Sequence, residues 1–125
     1  DVLRSETRPG VTGEELWERS AAIADEAGLG SNFMGYGEHR ARFVGHGVGL
    51  ELDELPVLAP RQQQPLEAGH VVAVEPKFFF PGLGAVGLEN TYAVDEDGLE
   101  TLTVSPEQIV VVEPAAGMRP TAPSA

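Results

Sequence analysis

Residues 71–76 read Val-Val-Ala-Val-Glu-Pro, an unbroken apolar run that ends on a carboxylate. A short run rich in β-branched residues reads as a buried strand, and a glutamate at its end faces inward, partly out of water. Burying a carboxylate is costly unless a hydrogen bond, a cation or a metal compensates it. Two other stretches add to that demand. Gly45-His46-Gly47-Val48-Gly49-Leu50 brackets a histidine with glycines, and Gly87-Leu88-Glu89-Asn90-Thr91 sets a second carboxylate into an apolar, strand-like run. One imidazole and two carboxylates converging from neighbouring strands would form a site for a hard-to-borderline divalent metal ion. The residue types alone leave a plainer reading open, in which His46 is a satisfied core histidine and Glu75 and Glu89 cap or pair at strand ends. The gaps between the three match no compact ligand signature.

At 125 residues the chain is one small domain or part of one, long enough for a modest core. Its formal net charge of −12 argues against nucleic acid as a partner, because binding phosphates needs a basic face. No apolar run reaches the length of a membrane span, and the first residues lack the basic-then-apolar pattern of a signal peptide, so no membrane role is expected. The absence of cysteine excludes disulfides and thiolate ligands and fits a cytoplasmic protein.

Thr12 is a helix N-cap, Glu15 three residues on completes a capping box, and Val11 and Leu16 are placed for a hydrophobic staple. Leu16, Ser20, Ile23, Ala24 and Ala27 share one face and Gly28 ends the run, which predicts a helix over residues 13–27. Residues 1–10 read as the tail of something earlier, and the Gly-rich residues 28–41 as a loop with His39 exposed. Residues 42–52 predict a strand broken by its glycines, where close backbone approach is the usual reason for glycine. A turn is expected at 53–56 and a surface loop at 60–65. His70 reads as a surface residue at the start of a strand over 71–75 that extends toward Phe80. Residues 85–94 predict the next strand, the Asp-Glu-Asp-Gly at 95–98 a hairpin turn, and 99–104 the return strand. Residues 105–108 predict a single turn and 109–112 a last short strand. Residues 114–125, built of Pro, Ala, Gly, Ser and Thr with almost no charge, predict a disordered tail. The expected class is α+β, with one long helix packed on an antiparallel sheet.

In this order, Gly45-His46-Gly47-Val48-Gly49, Val74-Glu75-Pro76 and Leu88-Glu89-Asn90 resemble the second half of the pita-bread metallopeptidases. That family comprises methionine aminopeptidase, Xaa-Pro aminopeptidase, prolidase and the non-peptidase creatinase. The fourteen residues from Glu75 to Glu89, with Phe80-Pro81-Gly82-Leu83-Gly84 inside them, are most similar to the Xaa-Pro and prolidase branch. The resemblance implies half of a pita-bread fold, with a curved antiparallel sheet, residues 1–113 being the C-terminal portion of a catalytic domain. The other half would carry two aspartate ligands on a strand hairpin, and no such hairpin occurs before Thr12, so the chain is expected to be an excised fragment in preference to a natural protein that is itself truncated.

The implied reaction is hydrolysis of an amide near the N-terminus of a small peptide, by a hydroxide held between two divalent ions about 3.5–4 Å apart. By the resemblance, His46 and Glu75 would bind one ion (Mn, Co, Zn or Fe) and Glu89 would bridge both, while Glu75 would also serve as general base. The 125-residue piece alone would hold at most one ion, weakly, and be inactive; its uncovered apolar surface favours a homo-oligomer.

Three positions depart from the family pattern. Arg42 stands where Xaa-Pro enzymes carry a second histidine, Asp53 where they carry a catalytic histidine, and Gly87 where they carry an arginine near the substrate. An aspartate cannot donate to a developing oxyanion unless its own pKa is raised. The ligands are kept while substrate handling is altered, so Arg42 and Asp53 are expected to line a substrate pocket unlike that of prolidase. Two readings therefore stand beside a peptidase: a pita-bread domain that binds without turnover, and a creatinase-like hydrolase or lyase of a small compound.

Overall fold

The computed structural model describes residues 2–113, and of Val2 the backbone only. The chain opens on a five-residue helix, α1 (Val2–Glu6). The sequence reading had only a tail there. What ties it down is Leu3 packing against the core and Thr7, 2% exposed, whose hydroxyl donates to the Leu3 carbonyl at 2.6 Å.

The capping box forms as the sequence predicts and starts α2 (Gly13–Glu26). The Thr12 amide donates to Glu15 Oε2 at 2.8 Å, and the Glu15 amide donates to Thr12 Oγ1 at 3.2 Å, giving both donors at the helix entrance an acceptor. Leu16, Ser20 and Ala24 are the buried stripe, with Val11 and Trp17 packed beside it. Gly28 takes the left-handed conformation, φ +73°, and the Leu29 amide reaches back to the Ala24 carbonyl at 2.8 Å, which closes the helix. At 14 residues α2 is of ordinary length, so the expected single long helix is one ordinary helix and one short one.

Among the described residues nine strands follow: β1 (Gly35–Tyr36), β2 (His39–Arg40), β3 (Gly45–Gly47), β4 (Glu54–Leu58), β5 (Val71–Val74), β6 (Lys77–Phe80), β7 (Gly84–Gly87), β8 (Asn90–Asp95) and β9 (Gly98–Thr101). Five of them form one antiparallel sheet in the order β4-β3-β5-β8-β9. Val72 and Val74 of β5, Tyr92 and Val94 of β8 and Leu58 of β4 join Leu16 and Ala24 of α2 in the core. The β1–β2 and β6–β7 pairs stand as separate two-stranded ribbons.

Several boundaries differ from the sequence reading, each for a physical reason. Residues 54–58 are strand β4, not a turn; Pro56 argues against a strand only in a sheet's interior, and β4 lies at the sheet edge. The strand at 71 ends at Val74, because Pro76 has no N–H to continue the ladder, and β6 resumes as a ribbon strand. The predicted strand over 85–94 is likewise split into β7 and β8, leaving Leu88 and Glu89 between them. The Asp-Gly hairpin between β8 and β9 forms as expected. Residues 105–112 hold no helix or strand, and the side chains at 109–112 are exposed. Thr103 and Leu102 instead bond back to Thr91, which spends the last ladder positions before that segment begins. The tail expected at 114–125 lies outside the described residues. Among the described residues, no helix is long and apolar enough to cross a membrane.

The glycines around His46 serve close approach. A Cβ added at Gly45 would stand 2.4 Å from the Ala73 carbonyl oxygen, and one at Gly47 would stand 2.4 Å from that of Leu55. Register also shifts between His46 and Gly47 against β4, a bulge at the residue of interest.

Candidate metal and catalytic site

His46 is the middle residue of β3 and lies opposite Ala73 of β5. Glu75 comes two residues after Ala73, so strand alternation turns the His46 and Glu75 side chains to one face. The Glu75 amide donates to the Val44 carbonyl at 2.9 Å and keeps the backbone in line past the end of β5. Both residues are buried, at 7% and 8% exposure, and His46 Nε2 is 3.4 Å from Glu75 Oε1. His46 Nδ1 lies 3.0 Å from the Gly47 carbonyl oxygen, a pure acceptor, so in a neutral ring Nδ1 carries the proton and Nε2 turns its lone pair toward Glu75. A lone pair and a carboxylate at that separation repel unless a proton or a cation lies between them. The Phe43 ring packs edge-on to the imidazole, centroids 6.3 Å apart.

Asp53 approaches from the other side of the ring. Its Oδ1 is 3.9 Å from His46 Nδ1, beyond hydrogen-bond distance, and its side chain is 63% exposed. Arg42 is exposed. His39 is exposed as expected, and His70 Nδ1 accepts the Glu67 amide at the strand's start, a local turn contact.

Glu89 stands in the gap between β7 and β8. The β5–β8 ladder pairs Ala73 with Thr91 and Val74 with Asn90, and one further step would set Glu75 opposite Glu89. The β6–β7 ladder, which pairs Lys77 with Gly87, keeps that same register, so the ribbon is the far end of the same hairpin beyond an interruption. Glu75, Lys77 and Glu89 therefore share one face. The Lys77 ammonium hydrogen-bonds Glu75 Oε2 and lies 3.6 Å from Glu89 Oε2. The hydrogen bond to Glu75, with the pull of both carboxylates, holds the Lys77 pKa above its ordinary value against the cost of burial.

Lys77 is a site residue to which none of the three motifs points. The signal was present: it is the sole lysine of the chain and sits two residues beyond Glu75. Gly87, which stands where the family pattern has an arginine, pairs in the ladder with this lysine.

In donor type, one imidazole and two carboxylates, His46, Glu75 and Glu89 fit a divalent ion. In arrangement, His46 and Glu75 are together while Glu89 is joined to them through an ammonium. Among the described residues, no three His, Cys, Asp or Glu side chains are gathered as a metal cluster. A separate cavity of about 280 Å³ beneath α2, lined by Ile23, Phe33, Phe78 and Leu88 among others, includes none of the three.

Residues 1–96 match the family model of metallopeptidase family M24. The chain belongs to this family. A Bacillus subtilis relative described as the uncharacterized peptidase YqhT is 35% identical over 105 residues, covering 84% of this chain and 28% of its own length. The Xaa-Pro dipeptidase of Pyrococcus furiosus is 33% identical over 103 residues, covering 82% of this chain and 28% of its own. Among solved structures, dipeptidase PepE of Mycobacterium ulcerans superposes with a TM-score of 0.78 at 29% identity, over 88% of this chain and 28% of that one. This M24 chain thus spans about 28% of the length of those relatives. Its fold is part of the pita-bread fold, mixed helix and antiparallel sheet, as the motifs implied.

Proposed function

We propose that this M24 chain is the C-terminal portion of the catalytic domain of a metal-dependent, cytoplasmic Xaa-Pro-type peptidase, an aminopeptidase or dipeptidase, which hydrolyses the N-terminal peptide bond of a small peptide. The observation that carries the reading is the buried His46–Glu75 pair, Nε2 and Oε1 3.4 Å apart, at the motif positions of an M24 chain. The residues that would hold the ions are His46, Glu75 and Glu89; manganese, cobalt, zinc or iron would suit this donor set. When bound, the ions supply a water acidified to a nucleophile and a polarised carbonyl. The chain's own part is to place and move protons. Gly47 fixes the His46 tautomer by accepting from Nδ1, and Glu75 accepts the proton of the attacking water and returns it to the leaving amine. Asp53, on the solvent side of His46, and the exposed Arg42 flank the substrate and set a preference different from prolidase. The 125 residues alone are inactive in this proposal, and the complete protein carries the activity.

The test is a peptidase assay of the complete protein on Xaa-Pro dipeptides, before and after chelation and manganese return, with Glu75→Gln alongside. Loss of a general base predicts a fall in kcat of about a hundredfold or more. Chelation without effect, or a Glu75→Gln protein at full rate, would overturn the proposal. The ammonium at Glu75 and Glu89 favours a second reading, a domain that binds peptide without turnover. Peptide binding with no cleavage at any metal concentration selects it.

A further inference from the structure

The two carboxylates proposed as ligands already have a cation, and the chain supplies it. Continuing the hairpin register across its interruption sets Glu75 opposite Glu89, a like-charge pair on one face. Like charges directly opposite across a ladder destabilise a sheet. One residue pair further on, that face carries Lys77 opposite Gly87. Gly87 is what admits the lysine stem: a Cβ there would come within 2.4 Å of Lys77 Cγ. With that space open, the stem lies along the ladder, and its ammonium reaches Glu75 Oε2 and comes within 3.6 Å of Glu89 Oε2. The site is thus a matched set of long cation, short opposite residue and paired carboxylates. Among the described residues no other lysine or arginine reaches both carboxylates: Lys77 is the chain's sole lysine, and the described arginines pair elsewhere or lie exposed, Arg4 with Glu107 and Arg19 with Glu6.

We propose that Lys77 is the resident counter-cation of the Glu75–Glu89 pair, and that its ammonium must withdraw before a divalent ion can engage both carboxylates. The inference rests on the reading of His46, Glu75 and Glu89 as ligands and adds an internal competitor to it. Glu75 is divided between two partners: Oε1 faces His46 and Oε2 faces Lys77. An ion at His46 and the first oxygen leaves the ammonium in place, whereas an ion reaching Glu89 displaces it. Lys77 therefore sets how tightly the pair is held by metal and biases this chain toward a single ion or none.

The experiment is calorimetric titration of manganese into the 125-residue chain as wild type, Lys77→Met, Gly87→Ala and His46→Ala. Gly87→Ala keeps the lysine but crowds its stem, so it reports on the same competition should Lys77→Met fail to fold. The expected result is affinity raised about tenfold or more by Lys77→Met, with a smaller rise for Gly87→Ala. If Lys77→Met and Gly87→Ala both bind manganese as the wild type does, while His46→Ala weakens binding, the counter-cation is refuted and the ligand reading stands. If neither wild type nor Lys77→Met binds manganese, the counter-cation is overturned, and the ligand reading is decided by the chelation assay of the complete protein. An ion-free arm separates the pairing from the metal. Lys77→Met should lower the melting temperature by stranding buried Glu75, and adding Glu75→Gln should recover it; a melt unchanged by Lys77→Met also overturns the proposal.

Discussion

Gly45 and Gly47 offer a test in which one chemical change meets two different surroundings. A methyl group at either position would stand 2.4 Å from a carbonyl oxygen, about 1 Å short of ordinary contact. At Gly45 the oxygen belongs to Ala73 of β5, which is flanked by β3 and β8 and cannot recede without loosening a ladder. At Gly47 the oxygen belongs to Leu55 of β4, an edge strand already bulged at that point, which can move into solvent. Overpacking costs about 1–3 kcal/mol, and replacing glycine by alanine returns about 0.4–1 kcal/mol through the unfolded chain. Adding a weakened ladder hydrogen bond at about 1 kcal/mol places Gly45→Ala near a net loss of 3 kcal/mol, and Gly47→Ala near 1. With a urea m-value of about 1.5 kcal/mol/M, the unfolding midpoint should fall by about 2 M for the first and about 0.7 M for the second. Far-ultraviolet circular dichroism in urea measures both. Equal losses, or a larger loss for Gly47→Ala, would refute the argument that strand position decides the cost.

Three further outcomes follow from the same structure. Thr12→Ala should cost about 1 kcal/mol and lower the melting temperature by about 5 °C, read by the same melts. The Thr12 amide and hydroxyl hold the Glu15 carboxyl below its ordinary pKa, so its contribution is present above the ordinary carboxylate range and lost as pH falls through the lowered value. Wild-type stability should accordingly fall more steeply into acid than that of Glu15→Gln, which has no carboxyl to titrate, and parallel slopes would discard the linkage. Leu16→Ala, at a site 1% exposed between α2 and the sheet, should cost about 3–4 kcal/mol; a loss under about 1.5 kcal/mol would mean that the helix is not anchored there.

Helix α2 was legible because its start, stripe and stop are local: Thr12, Leu16 and Gly28 each act on neighbours within a few residues. The hairpin at Asp97-Gly98 was legible for the same reason. The order of His46, Glu75 and Glu89 carried the family, although residue spacing alone could not. Strand β4 was hidden because Pro56 weighs against a strand until its place at the sheet edge is known. Lys77 was hidden because its meaning depends on a cross-strand partner, Gly87, ten residues away. No periodicity records that pairing. The segment at 109–112 misled in the opposite sense: β-branched residues promise a strand, but no neighbouring edge receives it.

That exposed segment has a consequence for how the chain behaves in concentrated solution. Ile109, Val110, Val111 and Val112 are 65–85% exposed, a short uncharged run of high β-propensity. Such runs template intermolecular cross-β stacking when two of them meet. Two features keep them apart: Glu107 and Glu113 bracket the run as charged gatekeepers, and the whole chain carries −12. Both are carboxylate charge, and both weaken under the same two conditions. Salt near 0.1 M shortens the reach of that repulsion to about 10 Å, and acid removes it. Colloidal stability of this chain is therefore greatest in dilute, near-neutral buffer, and clouding should set in with acid before the core itself gives way.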